Sequence, residues 1–244
     1  MIKHTPNLSF QKHTHTFLFP FSRDENSPAK FLVRYGSLKL YEEDGAYRNA
    51  SVAAISRHPQ YDDWLTDYDV ALLHLSADIA RSPNADIIPL ATETPANGSQ
   101  VLISGFGLMD LDLTAAPAEH LQLADRMVVM DHDQCEEEWS LGGGLLLISD
   151  RILCVASDSQ TALPGDSGGP MVYGGRLVGV TSFLVINLDD LTIMDGYSNV
   201  VTVRRWIEEN MNGGAFGVFG HQATTFLAFS LLMLGRLVQR WWWW

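Results

Sequence analysis

A serine enclosed by glycines is the residue of this chain best placed to do chemistry. Ser167 lies in the run Leu163-Pro-Gly-Asp-Ser-Gly-Gly-Pro, where Gly165, Gly168 and Gly169 leave the backbone free to turn sharply. A nucleophilic serine needs such a turn. Its hydroxyl must stand clear while neighbouring amides point at the oxyanion that forms on attack. An ordinary Gly-Pro loop would share this composition, so the flanking elements have to decide. Met171-Val-Tyr and then Leu177-Val-Gly-Val read as strand.

Gly165-x-Ser167-x-Gly169 also satisfies the strand–turn–helix elbow of α/β hydrolases, which requires a helix directly after the serine and its acid and histidine downstream. Pro170 and a strand follow instead, and the histidine downstream is His221, inside an apolar tail. The elbow is excluded.

The elements around the serine read as short strands. Phe31–Tyr41 alternates in part and breaks at Gly36, and Asn49–Ser56 leads into His58-Pro59, a natural strand end. Asp69-Val-Ala-Leu-Leu-His-Leu is a mostly apolar run suited to a buried strand, and Gln100–Gly107 and Gly175–Ile186 are two more. The pattern gives one helix, from Thr202, closed by Gly213. With 20 Gly and 10 Pro to supply turns, the expectation is an all-β barrel or sandwich with a terminal helix.

The segment around Ser167 together with Asp69-Val-Ala-Leu-Leu resembles the trypsin-like, chymotrypsin-fold serine peptidases. Asp69 precedes Ser167 by 98 residues, close to the roughly 93 that separate acid and serine in that family. Ile103-Ser-Gly-Phe-Gly, Leu121-Gln, Ile152-Leu-Cys, Leu177-Val-Gly-Val-Thr-Ser-Phe and the Trp206-Ile207 helix extend the likeness over about residues 31–210. The resemblance implies two antiparallel β-barrels of the six-stranded type, the first incomplete, and a C-terminal helix. It implies Ser167 as nucleophile, Asp69 as the acid that orients a histidine, and the Gly165 and Ser167 amides as oxyanion hole. Asp166 would pair with a new N-terminal ammonium after activation cleavage.

The histidine departs from the family pattern. In the family it lies roughly 45 residues before the acid. His58 and His74 are too close to Asp69, and His120 and His132 follow it. His13 and His15 remain, in Lys-His-Thr-His-Thr, without the two alanines before and the cysteine after that the family carries. The chain therefore reads as an N-terminally truncated or divergent serine endopeptidase that cleaves through an acyl-enzyme. The alternative is a catalytically inactive homologue that binds proteins on the same surface.

The specificity pocket departs too. Thr161 stands at its base where trypsins carry an acid, Leu163 replaces a cysteine, and in Ser182-Phe183-Leu184 the leucine replaces a glycine. Asp195 then falls on the pocket wall, where a carboxylate could select Lys or Arg in place of the basal acid; a solvated loop residue is the other reading. Cys135 and Cys154, read alone, are compatible with two buried thiols; by resemblance they form a disulfide, which favours a secreted protein.

Composition narrows the partners. Lys plus Arg total 16 against 29 Asp plus Glu, a net charge of −13. Such a balance excludes nucleic-acid binding and disfavours docking on anionic lipid. No metal cluster, phosphate loop or repeat is present in the pattern, so no cofactor is expected, and the partners are protein or peptide substrates of a monomer. Sequons at Asn7, Asn49 and Asn97 fit secretion, although residues 1–30 contain no uninterrupted signal-peptide core. The expected division is an unmatched, disordered segment over 1–30, a peptidase domain over 31–210 and an apolar tail over 211–244. The first barrel of that domain covers about 31–110 and the second about 111–210. The stretch 215–235 is long enough for weak membrane attachment.

Overall fold

In a computed structural model, which describes residues 16–19, 27–41, 48–62, 66–112, 114–141, 148–187 and 192–211, the described residues form ten strands and two α-helices that build two β-layers. The first layer is an antiparallel sheet of β1 (Thr16–Phe19), β2 (Leu32–Tyr35), β3 (Arg48–Arg57) and β4 (Ala71–Leu75), in the order β1-β4-β3-β2. Among the described residues this sheet stays open, matching the incomplete first barrel. The second layer closes as a six-stranded barrel, β10-β7-β6-β5-β8-β9. Its strands are β5 (Gln100–Gly105), β6 (Gln122–Val129), β7 (Ile152–Ala156), β8 (Pro170–Tyr173), β9 (Arg176–Ile186) and β10 (Ile193–Asn199).

The apolar run after Asp69 is explained by burial on both faces of β4. Leu73 and Leu75 join Tyr35, Ala50 and Val52 in the core of the first sheet. Leu72 turns the other way, into a core shared with Val172, Leu177 and Val180 of the barrel and with α2 (Val200–Met211). This second core welds the two layers together. Inside the barrel, Met127, Val155, Met171 and Tyr197 pack so closely that a Cβ on Gly179 would stand 2.6 Å from the Met171 methyl.

Helix α2 covers the sequence-expected position. Asn199 caps it by accepting the Val201 N–H on its side-chain oxygen, and Val200, Val203, Ile207 and Met211 form the buried face. Burying each of these side chains contributes about 2 kcal/mol. A second helix, α1 (His132–Leu141), corrects the expectation of a single one. Its apolar face is only Cys135 and Trp139, too short a stripe to register as periodicity. Asp131 caps it by accepting the Gln134 N–H, and a disulfide from Cys135 to Cys154 ties it to β7.

Candidate active site

Asp69 lies two residues before β4, fully buried, with its carboxylate turned to the barrel. The Ser182 hydroxyl of β9 donates to its Oδ2 at 2.6 Å, and the Ser198 hydroxyl of β10 donates to its main-chain carbonyl. The acid therefore belongs to one layer by sequence and is held by the other.

Ser167 stands on the loop from Leu163 to Gly169, exposed at the surface. Gly165 and Gly168 take φ of +98° and +83°, the left-handed region that glycine enters without strain. The loop is closed by Asp166 N–H to the Leu163 carbonyl at 2.9 Å and Gly169 N–H to the Asp166 carbonyl at 2.8 Å. It is joined to β9 by Gly168 N–H to the Thr181 carbonyl at 3.0 Å. Among the described residues, neither the Gly165 nor the Ser167 N–H donates to a protein acceptor.

The Asp166 side chain anchors this loop from beneath. It accepts N–H bonds from Gly107 at 2.8 Å and Leu163 at 3.0 Å, and burial raises its pKa against the pull of those amides. A Cβ on Gly107 would lie 2.6 Å from the Asp166 carboxylate, and one on Gly105 would collide with it. The two glycines of Ile103-Ser-Gly-Phe-Gly thus make room for this group. Among the described residues the Asp166 carboxylate is met by backbone amides, whereas the resemblance implied an ammonium.

Thr161, Ala162 and Asp195 come together on the other side of the loop. The Thr161 hydroxyl donates to one Asp195 oxygen at 2.6 Å and the Ala162 N–H to the other at 2.8 Å. Asp195 is 1% exposed, so it is no solvated loop residue. Burial pushes its pKa up to about 7, against the lowering by Thr161 and Ala162 and with a small contribution from Asp166. The Tyr197 hydroxyl beside it is buried. Across the β9–β10 pair, Leu184 faces Asp195 and Phe183 lies over Gly196.

Among the described histidines, His58 and His74 have partners of their own. His58 is buried, stacked on Tyr68 with ring centres 4.3 Å apart and tilted against Trp206 at 4.8 Å. His74 is paired with the Ser56 hydroxyl through Nε2 at 2.8 Å. His13 and His15 lie outside the described residues. Strand β1 runs antiparallel to β4, with Phe19 opposite Ala71 and Thr16 opposite His74, so its Phe19 end is the one next to Asp69. Sequence reasoning also missed a carboxylate and a guanidinium behind Asp69, namely Asp67 and Arg151, which are 84 residues apart in the chain.

The sequence model of the trypsin family matches residues 24–207. The chain belongs to the trypsin family. Its members similar to this chain include trypsin iota of Drosophila melanogaster, 32% identical over 66% of this chain and 62% of the relative. Trypsin alpha of Drosophila erecta is 30% identical over 76% of this chain and 70% of its own length. Hypodermin-B of Hypoderma lineatum is 32% identical over 73% of this chain and 66% of its length. This trypsin-family chain therefore spans roughly two thirds of the length of these relatives. The solved structure of neuropsin, a serine protease expressed in the limbic system of mouse brain, superposes with a TM-score of 0.68. It covers 80% of this chain and 84% of neuropsin at 22% identity, which shows the shared chymotrypsin-type fold.

Proposed function

We propose that this chain is a serine endopeptidase in which Ser167 attacks the scissile carbonyl and Asp69 orients the base. The Gly165 and Ser167 N–H groups bind the oxyanion, each worth about 3 kcal/mol in sites of this type. The observation that carries the proposal is the Ser182–Asp69 hydrogen bond, which fixes the acid of one layer against the strand of the other that leads to the substrate pocket. Asp195 is proposed to receive a Lys or Arg side chain of the substrate, replacing the basal acid that Thr161 lacks. Its place on β10 in contact with Thr161 supports that reading.

The chemistry needs an imidazole between Asp69 and Ser167. Labelling with a fluorophosphonate tests the nucleophile, with one adduct expected on Ser167 and none in Ser167→Ala. Hydrolysis of Arg, Phe and Ala amides tests the pocket, and a preference for Phe defeats the role given to Asp195.

The alternative reading is recognition without cleavage. Under this reading the fluorophosphonate leaves Ser167 unmodified and the pocket still binds a cationic side chain.

The Cys135–Cys154 disulfide supports folding in an oxidising compartment, and we take the chain to be secreted and monomeric. The peptidase domain is assigned to about 31–210, in keeping with the matched range of 24–207. Weak membrane attachment is assigned to 215–235, which lies outside the described residues. A vesicle flotation assay with and without 212–244 tests it.

A further inference from the structure

We propose that Arg151 is a positioning residue for Asp69, acting through Asp67 across the joint between the first sheet and the barrel. The proposal rests on the reading of Asp69 as the acid of the site.

The backbone that delivers Asp69 is irregular. Thr66 and Tyr68 have φ of +54° and +52°, a left-handed conformation that side-chain-bearing residues enter rarely. The Val70 N–H then closes onto the Tyr68 carbonyl at 2.7 Å, a three-residue turn centred on Asp69. Such backbone persists only where its surroundings over-determine it.

Those surroundings come from the barrel. Arg151 and Ser149 lie in the turn that leads into β7. The guanidinium grips the buried Asp67 carboxylate with Nε at 2.8 Å and Nη2 at 2.6 Å, a two-pronged pairing. The Ser149 hydroxyl donates to the same carboxylate at 2.9 Å and the Tyr68 N–H at 3.0 Å. The guanidinium carbon also stands 4.5 Å from the centre of the Tyr68 ring, which is itself stacked on His58. Two residues further on, Ser182 and Ser198 hold the side chain and carbonyl of Asp69.

The chain is thus pinned to the barrel at Asp67 and again at Asp69, with one residue between. Releasing Asp67 frees the strained segment to relax, and Asp69 moves with it while Ser167, on the barrel, does not. Arg151 therefore sets the distance between an acid on one layer and a nucleophile on the other.

Hydrogen exchange of the full chain tests this, read by NMR at the Val70 and His58 amides, whose acceptors are the Tyr68 and Val70 carbonyls. Arg151→Ala is expected to speed exchange at these two amides at least tenfold more than in β9 and β10, with Arg151→Lys in between. Arg81→Ala, which removes an exposed ion pair with Asp86, is expected to change nothing at these amides. Unchanged exchange at Val70, or a uniform rise through the barrel, overturns the proposal. Should Arg151→Ala fail to fold, Asp67→Asn and Arg151→Lys carry the same test, and wild-type exchange in both overturns it. If the wild type hydrolyses amides, Arg151→Ala should lower kcat with little change in KM, and Arg151→Lys should restore part of it. A wild type that leaves Ser167 unlabelled counts against the peptidase reading alone, because the exchange measurement judges the clamp without catalysis.

Discussion

The Ser182 hydroxyl donates to Asp69 Oδ2 at 2.6 Å, and this bond crosses from the barrel to the first sheet. Asp69 is fully buried, so a lost donor leaves a desolvated carboxylate short of a partner. Ser182→Ala should cost about 2 kcal/mol of stability, read from urea unfolding. A loss under about 0.5 kcal/mol, the size of an ordinary surface change, would mean that the bond does not hold the acid.

Gly107 makes room for the carboxylate of Asp166, which its own N–H also binds. Gly107→Ala places a methyl 2.6 Å from that carboxylate, and the Leu163–Gly169 loop has to yield. We expect about 1–3 kcal/mol of destabilisation, the usual cost of overpacking. Any reaction at Ser167 should fall in parallel, since the loop carries both proposed oxyanion donors. Gly105→Ala should be more severe, and comparison of the two by thermal unfolding checks the order.

Asp195 gives the site its pH dependence. Its folded pKa is about 7, raised first by burial, against an ordinary value of 3.8. A raised folded pKa contributes stability that is fully present below about pH 4 and lost as pH rises to about 7. Asp166, also raised by burial, acts in the same direction. Asp195→Asn should flatten the part of the Tm-against-pH profile that falls between about pH 4 and 7. An identical slope in wild type and variant would contradict the assignment.

Asp67 has the opposite sign. Burial raises its pKa, but Arg151, Ser149 and the Tyr68 N–H together bring it below the ordinary value. Its contribution is present above the ordinary carboxylate pKa and lost as pH falls through the lower folded one. Arg151→Ala should therefore destabilise the chain strongly at pH 7, by about 3 kcal/mol for a broken buried pair, and much less in strong acid. Unfolding curves at the two pH values check this.

Much of this architecture was legible in the sequence because its signals are local. The glycines around Ser167, the two-sided apolar run after Asp69 and the amphipathic α2 each follow from residues within a dozen positions of one another. The burial of Asp195 and its pairing with Thr161 required the barrel to close, because β10 meets the Thr161 loop only in three dimensions. Helix α1 was hidden by its short stripe of Cys135 and Trp139 among acidic residues. Strand β1 was hidden by its brevity, four residues beside polar neighbours. The Arg151–Asp67 pair left no trace in the sequence, since both residues read as ordinary surface charges until the layers dock.

The central claim is that this surface receives a cationic substrate side chain against Asp195, whether or not cleavage follows. Calorimetric titration with benzamidine, an aromatic amidinium the size of an arginine head group, tests it without the catalytic base. The account predicts saturable binding at pH 8, about tenfold weaker at pH 6 because the carboxylate is then mostly protonated, and none in Asp195→Asn. Equal binding by wild type and Asp195→Asn, or no binding by either, would contradict it.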